Sequence, residues 1–149
     1  MDVPGTVGEI LDHKRPEVWS VAPDTTVYQA IQLMADKNVG ALPVLDGNRL
    51  VGIVSERDYT RKVILKGRSS RETPVRDIMS RDLVLAALGD TIVECMRVMT
   101  ERKVRHLPVV DGSRMLGIIS IGDLVNWIIS AQTAAIDQLE KYITGAYPA

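Results

Sequence analysis

The sequence predicts an α/β fold, of the mixed α+β type, in which two β-α-β-β-α repeats pack with pseudo-two-fold symmetry. Residues 41–58 have the sequence Ala-Leu-Pro-Val-Leu-Asp-Gly-Asn-Arg-Leu-Val-Gly-Ile-Val-Ser-Glu-Arg-Asp, and a gapless variant of it starts again at residue 106, an offset of 65. In both copies Asp-Gly separates two apolar runs, which predicts a β-hairpin because glycine tolerates the positive φ of such turns. Both copies end in Ser-x-x-Asp, a pattern typical of a helix start. The chain is therefore predicted to consist of two copies of one structural unit.

Each repeat is predicted to contain a lead-in, a short first strand, a helix, the hairpin and a second helix. Capping side chains precede the first helices, and apolar residues then recur every three to four positions. A sheet of three short strands with helices on one face keeps one open side, which the other repeat can cover. The predicted ranges are 7–11 and 75–79 for the lead-ins, 18–21 for the first strand, 24–35 and 90–99 for the capped first helices, and about 57–66 (closed by Gly67) and 122–130 for the second helices.

These elements divide the chain into a first repeat at 7–67, a second repeat at 75–130 and a C-terminal segment at 131–149. The polar stretch at 68–74 contains a proline and links the repeats. In the C-terminal segment an apolar stripe predicts an amphipathic helix that covers either its own body or a partner chain. The stripe consists of Ile136, Leu139 and Ile143, with Asp137, Glu140 and Lys141 opposite.

Composition narrows the classes of protein and partner. The 149 residues are 46% apolar and 25% charged, which is typical of a globular chain that needs no metal or disulfide to fold. The formal net charge of −1 predicts no general attraction to nucleic acid or to anionic membranes. No apolar run approaches the roughly 20 residues of a membrane span, and the N-terminus lacks the pattern of a signal peptide. We therefore expect a soluble, cytoplasmic protein.

The two Ser-x-x-Asp motifs allow two interpretations. In the first, Ser55 with Asp58 and Ser120 with Asp123 are capping boxes, whose side chains only satisfy free amides of the first helical turn. In the second, the helix N-terminus and serine bind a phosphate, and the aspartate accepts hydrogen bonds from the two hydroxyls of a ribose. Arg57 lies between Ser55 and Asp58 and can add a charge-assisted hydrogen bond.

The doubled pattern Leu-Pro-Val-x-Asp-Gly-x-Arg-x-x-Gly-Ile-x-Ser-x-x-Asp resembles the CBS domain, and the pair is similar to a Bateman module from about Val7 to Ile129. The resemblance implies an adenosine-containing ligand, with AMP the first expectation, ATP, ADP, NAD or S-adenosylmethionine as alternatives, and no metal requirement. The resemblance also implies how such a ligand would be held. The aspartate would bind the ribose, the serine and nearby basic groups would bind the phosphates, and the base would lie between the first strand and the strand that contains Leu-Pro.

Carried over by matching positions, the resemblance implies two clefts, each made of residues from one repeat. Gly122 stands where Arg57 does, and Arg105 and His106 replace Gly40 and Ala41, so the clefts are expected to differ in affinity. The first cleft would contain Ser55, Arg57 and Asp58, with Ser20, Val21, Gly40, Ala41 and Pro43 around the base. The second would contain Ser120, Gly122 and Asp123, with Val84, Leu85, Ala86, Arg105, His106 and Pro108.

Three classes of function remain open. The leading hypothesis is a non-enzymatic adenine-nucleotide sensor that acts on an unknown effector protein in trans and pairs into a homodimer, as Bateman modules do. The second is an interaction scaffold whose clefts are empty. The third is an enzyme acting on nucleotides, with Asp58 or Asp123 as a base, although no second catalytic group stands beside either. His106 is either an ordinary half-exposed strand residue or a ligand contact, and the basic residues from Arg57 to Arg71 form either a solvated helix face or phosphate contacts.

Overall fold

The computed structural model describes residues 3–14, 18–112 and 114–143. Its helices and antiparallel hairpins confirm the mixed α+β class and the doubled arrangement. Among the described residues no helix is both long enough and apolar enough to cross a bilayer. The elements are α1 Val7–His13, α2 Val27–Lys37, β1 Ala41–Asp46, β2 Arg49–Ser55, α3 Glu56–Tyr59, a π-helix Thr60–Ile64, a 3₁₀ turn Val75–Asp77, α4 Ile92–Arg102, β3 His106–Asp111, β4 Arg114–Ser120 and α5 Ile121–Ile143.

The first helix of each repeat begins at a threonine cap, as the sequence predicts. Thr26 accepts a hydrogen bond from the Gln29 amide and forms a capping box with it, while Thr91 accepts one from the Glu94 amide. Both helices end at a residue with left-handed backbone, Asn38 or Lys103, each with φ of 54°. The matching caps give α2 and α4 the same length and place the strands that follow them equivalently.

The two hairpins have the same register. β1 pairs antiparallel with β2 and β3 with β4, and each pair has a bulge at the same position of the repeat. Gly47 and Gly112, with φ of 64° and 62°, make the tight turns that Asp-Gly predicts. The first strand predicted at 18–21 is reduced to a single bridge between Val21 and Val44. It ends there because Ala22 and Thr25 form a turn that leads into α2.

The lead-ins cross between the repeats. α1 belongs to the core of the second repeat, where Val7 and Ile10 are buried with Ile92, Leu107 and Ile119. The segment before the second repeat packs in the core of the first, through Val75, Ile78 and Met79. Each structural core therefore contains a segment that the sequence places next to the other repeat.

The second helices differ between the repeats. In the first, α3 continues as a π-helix and ends at Gly67, whose φ is 67°. In the second, α5 runs without a break through 122–130 and most of 131–149, which the sequence analysis treated as separate segments. Ile136 and Leu139 of the predicted stripe are 56% and 58% exposed. The Ile143 side chain and residues 144–149 lie outside the described residues.

Candidate functional site

Two clefts lie between the repeats at corresponding positions. The basic cleft has a volume of about 300 Å³, and the tryptophan cleft has a volume of about 640 Å³. Both are within or at the edge of the size range of small-molecule sites. The basic cleft is lined by Ile53, Ser55, Arg57, Asp58, Arg61, Ser80, Asp82, Leu83, Val84, Lys103, Val104, Arg105, His106 and Pro108. The tryptophan cleft is lined by Leu11, Lys14, Val18, Trp19, Asp36, Lys37, Val39, Ala41, Leu42, Leu116, Gly117 and Ile118.

The structure groups the predicted residues differently from the sequence analysis, which built each cleft from one repeat. Ser55, Arg57 and Asp58 face Arg105 and His106 of the other repeat. Each cleft lies between the two hairpins, so its two walls come from different repeats. Val84 and Pro108 also belong to the basic cleft, and Ala41 belongs to the tryptophan cleft.

Part of the predicted base-facing set does not line either cleft, and its contact with a base stays a prediction. Ser20 and Val21 line a separate shallow depression with Thr25 and Gln29. Because Val21 is held in its bridge to Val44, the preceding residues are the ones that reach the cleft. These residues are Val18 and Trp19 in the tryptophan cleft, and Leu83 and Val84 in the basic cleft. Leu85 and Ala86 of the predicted set do not line the basic cleft: Leu85 is 48% exposed, and Ala86 is buried where it bridges to Val109.

Gly40 and Pro43 support the clefts through their backbones. The Gly40 carbonyl accepts a hydrogen bond from the Glu56 amide, so it holds the start of α3. A Cβ at Gly40 would lie 3.8 Å from His106 Nε2, which places the two repeats in contact there. Pro43 is buried, and its carbonyl accepts the Val21 amide. Neither residue is among those that line the two clefts.

Asp58 is turned onto the N-terminus of its own helix. Its Oδ2 accepts hydrogen bonds from the Ser55 amide at 2.9 Å and from the Ser55 hydroxyl at 3.0 Å. The Ser55 hydroxyl in turn accepts the Asp58 amide at 3.1 Å, which completes a capping box. Asp58 Oδ1 lies 3.2 Å from Lys62 Nζ, which also donates to the Ile78 carbonyl. The capping interpretation of this motif is therefore realised in the structure.

Asp123 makes two of the corresponding capping contacts, and its lysine partner comes from a different part of the chain. Its Oδ2 accepts the Ser120 amide at 2.8 Å, and its amide donates to the Ser120 hydroxyl at 3.1 Å. Lys14 Nζ reaches the same Oδ2 at 2.7 Å and donates to the Ile118 carbonyl at 2.7 Å. Ser120, Gly122 and Asp123 are not among the residues that line either cleft, but Asp123 contacts Lys14, which lines the tryptophan cleft. A Cβ at Gly122 would lie 3.5 Å from the Ser120 hydroxyl oxygen.

His106 is half-buried and lines the basic cleft, as the ligand-contact interpretation requires. Burial lowers the pKa of its imidazole, and Lys14 and Arg105 act in the same direction. The carboxylates of Asp123 and Asp58 act in the opposite direction on the same pKa. The ring therefore responds to both aspartates, one from each Ser-x-x-Asp motif. It is favoured in its neutral form, which can both donate and accept a hydrogen bond.

The two clefts differ in charge. The basic cleft contains four permanent cations from its two walls, namely Arg57, Arg61, Lys103 and Arg105. The tryptophan cleft contains Lys14 and Lys37 with Asp36, and the Lys37 ammonium lies 4.0 Å from the centre of the Trp19 ring. Across the described ranges no three His, Cys, Asp or Glu side chains form a group that could hold a metal ion.

The comparison with known families decides the relationship. The model of the CBS domain matches the chain twice, over residues 7–64 and 75–130. The chain belongs to the CBS-domain family. It is a tandem CBS pair, and the crossed lead-ins described above are the starts of its two matched regions.

The CBS pair has relatives among both sequences and structures. It is 40% identical over 129 residues to the mitochondrial CBS domain-containing protein CBSX3 of Arabidopsis thaliana, a match of 83% of this chain and 63% of the plant protein. It is 46% identical to the solved structure of a CBS-domain protein of Burkholderia ambifaria MC40-6 assigned to signal transduction. That match has a TM-score of 0.83 and covers 86% and 96% of the two chains. This chain also shares the fold of the CBS domain pair of protein MJ0100, which was solved in complex with 5′-methylthioadenosine and S-adenosyl-L-methionine. That match has 22% identity and a TM-score of 0.72, and it covers 82% of this chain and 94% of the MJ0100 chain.

Several cleft residues of this CBS pair were missed by sequence reasoning. Lys14 was not considered, although the offset of 68 between the two lead-ins aligns it with Asp82, which lines the basic cleft. Trp19 was assigned to the first strand but not to the site. Lys103 gave no signal, because it is the left-handed residue that ends α4 and reaches the cleft only through the fold.

Proposed function

We propose that this CBS pair is a non-enzymatic regulatory module that binds adenosine-containing ligands in the clefts between its repeats. AMP is the first expectation, with ADP, ATP, NAD or S-adenosylmethionine as alternatives, and the ligand would report energy or redox state to an effector protein in trans. The observation that supports this proposal best is the basic cleft, where Ser55 and Asp58 of one repeat face Arg105 and His106 of the other. This arrangement offers a ribose acceptor and a phosphate-binding wall within one cavity.

The origin of the two walls suggests how binding would become a signal. A ligand in the basic cleft would touch both repeats, so its affinity depends on their relative position. It can shift an equilibrium between two arrangements only by its differential affinity for them. The complex of MJ0100 with two adenosine compounds supports a ligand-binding role for this fold.

Self-association is part of the proposal. α5 presents an apolar row to solvent, including Ile129 at 54%, Ile136 at 56% and Leu139 at 58% exposure. Such a face is suited to pairing with a second copy. A homodimer and a cytoplasmic location both stay predictions, as does the absence of nucleic-acid and membrane partners.

One observation favours the scaffold alternative with empty clefts. Both aspartates are engaged by the N-terminus of their own helix, so capping alone accounts for the Ser-x-x-Asp motifs. The substitutions Asp58→Ala and Asp123→Ala separate the two functions. A sensor loses ligand binding at the altered cleft, whereas a scaffold loses only about 0.5–2 kcal/mol of capping stability. The exposed Asp137→Ala on α5 is the matched control, because it removes one carboxylate from a residue outside both clefts.

A thermal melt with each candidate ligand tests the proposal directly. A ligand at 100 times its dissociation constant stabilises the folded state by about 2.7 kcal/mol, which shifts the melting temperature by several degrees. We expect at least one adenosine compound to give this shift and Asp58→Ala to reduce it. If AMP, ADP, ATP, NAD and S-adenosylmethionine all leave the melt unchanged at millimolar concentration, the sensor function is wrong.

A further inference from the structure

The basic cleft and the tryptophan cleft are built from the same repeated sequence, yet the cationic positions of the basic cleft are not cationic in the other copy of the repeat. Each of the four cations of the basic cleft has a neutral counterpart at the offset of 65. Arg57 corresponds to Gly122, Arg61 to Asn126, Lys103 to Asn38 and Arg105 to Gly40. The charge of the basic cleft is therefore a property of one cleft and not of the repeat.

The carboxylates that line the basic cleft do not neutralise these four cations. Asp58 is bound to Ser55 and Lys62, and Asp82 lies 3.4 Å from Arg102, which is outside the cleft lining. Among the described residues, none of Arg57, Arg61, Lys103 and Arg105 forms an ion pair. The cations also come from both walls, two from the first repeat and two from the second.

The tryptophan cleft contrasts with this at each point. Its lysines are both engaged, Lys14 by Asp123 and the Ile118 carbonyl, and Lys37 by the ring of Trp19. Asp36 adds a negative charge to the same lining. This cleft therefore offers an aromatic ring for a base but little uncompensated positive charge.

We infer that the basic cleft selects nucleosides with two or more phosphates, and that the four cations bind the phosphate chain from both repeats. One phosphate group carries about −1.5 to −2 charges at neutral pH, which leaves part of the fourfold positive charge uncompensated. A longer phosphate chain carries more negative charge and therefore compensates more of the positive charge that the two walls supply. The inference rests on the proposed function, because it assumes that the cleft binds a nucleotide at all.

Titration calorimetry on the full chain tests the inference with adenosine, AMP, ADP and ATP. We expect ATP and ADP to bind one site about tenfold or more tighter than AMP, and this preference to shrink as salt rises. The deciding variant is Arg61→Asn with Lys103→Asn, which introduces the residues that the other copy of the repeat has at the corresponding positions, Asn126 and Asn38. All four cations of the basic cleft are exposed side chains, so the variant is expected to fold.

The double variant should weaken ATP binding about tenfold or more and AMP binding less than threefold. The control Lys66→Asn with Arg97→Asn removes the same charge from exposed residues outside both clefts and should leave the preference intact. Equal affinities for AMP and ATP, or an ATP affinity that the double variant leaves unchanged, would overturn the inference while the proposed function stands. Failure of all four compounds to bind would overturn both.

Discussion

Lys14 Nζ lies 2.7 Å from Asp123 Oδ2, so the end of the N-terminal helix is tied to the first turn of α5, 109 residues away in sequence. The same ammonium donates to the Ile118 carbonyl at the end of β4. The Asp123 carboxylate is thereby neutralised by a residue that the repeated motif does not contain. Asp58 has Lys62 in a comparable role, but that lysine comes from its own helix.

Substitution Lys14→Met is expected to lower the free energy of unfolding modestly and to raise the affinity for adenosine. A half-exposed ion pair contributes about 0.2–1 kcal/mol, and loss of the hydrogen bond to Ile118 adds to this. Without the ammonium, Asp123 is free to accept hydrogen bonds from ribose hydroxyls. Urea unfolding and adenosine titration measure the two effects, with the exposed Lys66→Met as the control. A fall in adenosine affinity would show that Lys14 assists the ligand and does not compete with it.

Substitution Gly52→Ala tests the crossed lead-ins. A Cβ at Gly52 would lie 2.6 Å from Met79 Sδ and 3.0 Å from the Ser80 carbonyl, in the segment that packs on β2 from the start of the other repeat. Overpacking of this kind costs about 1–3 kcal/mol, which chemical denaturation measures. Gly117→Ala, 3.0 Å from Leu11 Cδ2, should be milder because a side-chain methyl can move. Gly89→Ala is the control, since a Cβ there meets no atom within 4 Å, and a loss of stability as large as that of Gly52→Ala would contradict the contact.

Because of His106, we expect the free energy of unfolding to fall as the pH decreases. Burial lowers its pKa in the folded state below the ordinary value of 6.5, so the folded state binds a proton less readily than the unfolded state does. The stability is therefore complete above about pH 6.5 and falls as the pH decreases through the lowered pKa. The charged groups that act on the ring are Asp123, Lys14, Arg105 and Asp58.

Urea unfolding of the wild type and of His106→Gln between pH 7.5 and 5 measures this effect. The difference in unfolding free energy between the two proteins should change over the acid half of that range and stay constant over the neutral half. A difference that is constant throughout would mean that the histidine has the same pKa in both states. A polyphosphate in the basic cleft should oppose the effect, because its negative charge favours the imidazolium.

Cys95 is expected to be chemically inert in the native protein. Its thiol is 2% exposed, and burial, with Asp90 and Glu94 nearby, raises its pKa to about 11. Since the thiolate is the reactive form, a disulfide reagent at pH 8 should label the native chain far more slowly than the chain in urea. Labelling at equal rates in both conditions would show that the core of the second repeat opens readily. The corresponding residue of the first repeat is the buried Ala30, so Cys95→Ala is the control that should not be labelled.

The parts of the fold that depend on local sequence could be predicted. The Asp-Gly turns and the threonine caps are set by residues a few positions apart, and the structure has them at Gly47, Gly112, Thr26 and Thr91. The gapless offset of 65 also predicted two equivalent hairpins, and the structure gives both the same register. The turns and the caps could be predicted because residues close in sequence determine the backbone conformation at each of them.

The grouping of residues around each cleft could not be predicted in this way. A repeat shows which positions are equivalent, but it does not show whether Ser55 faces Ala41 of its own hairpin or His106 of the other. That choice depends on how the repeats pack, as does the position of Lys14, which the crossing of α1 brings to Asp123. The position of Ser20 and Val21 outside the cleft linings could not be predicted either, because a bridge of one residue has no periodicity that shows which side chains face the cleft.

Each repeat packs its lead-in segment into the core of the other repeat, as two chains do in a domain-swapped dimer. Here the two halves are joined in one chain. A protein cut between residues 67 and 75 would yield two fragments, each missing buried side chains that the other fragment supplies, such as Val7 for one and Ile78 for the other. Neither fragment has a complete interior alone, so the two should refold only as a complex.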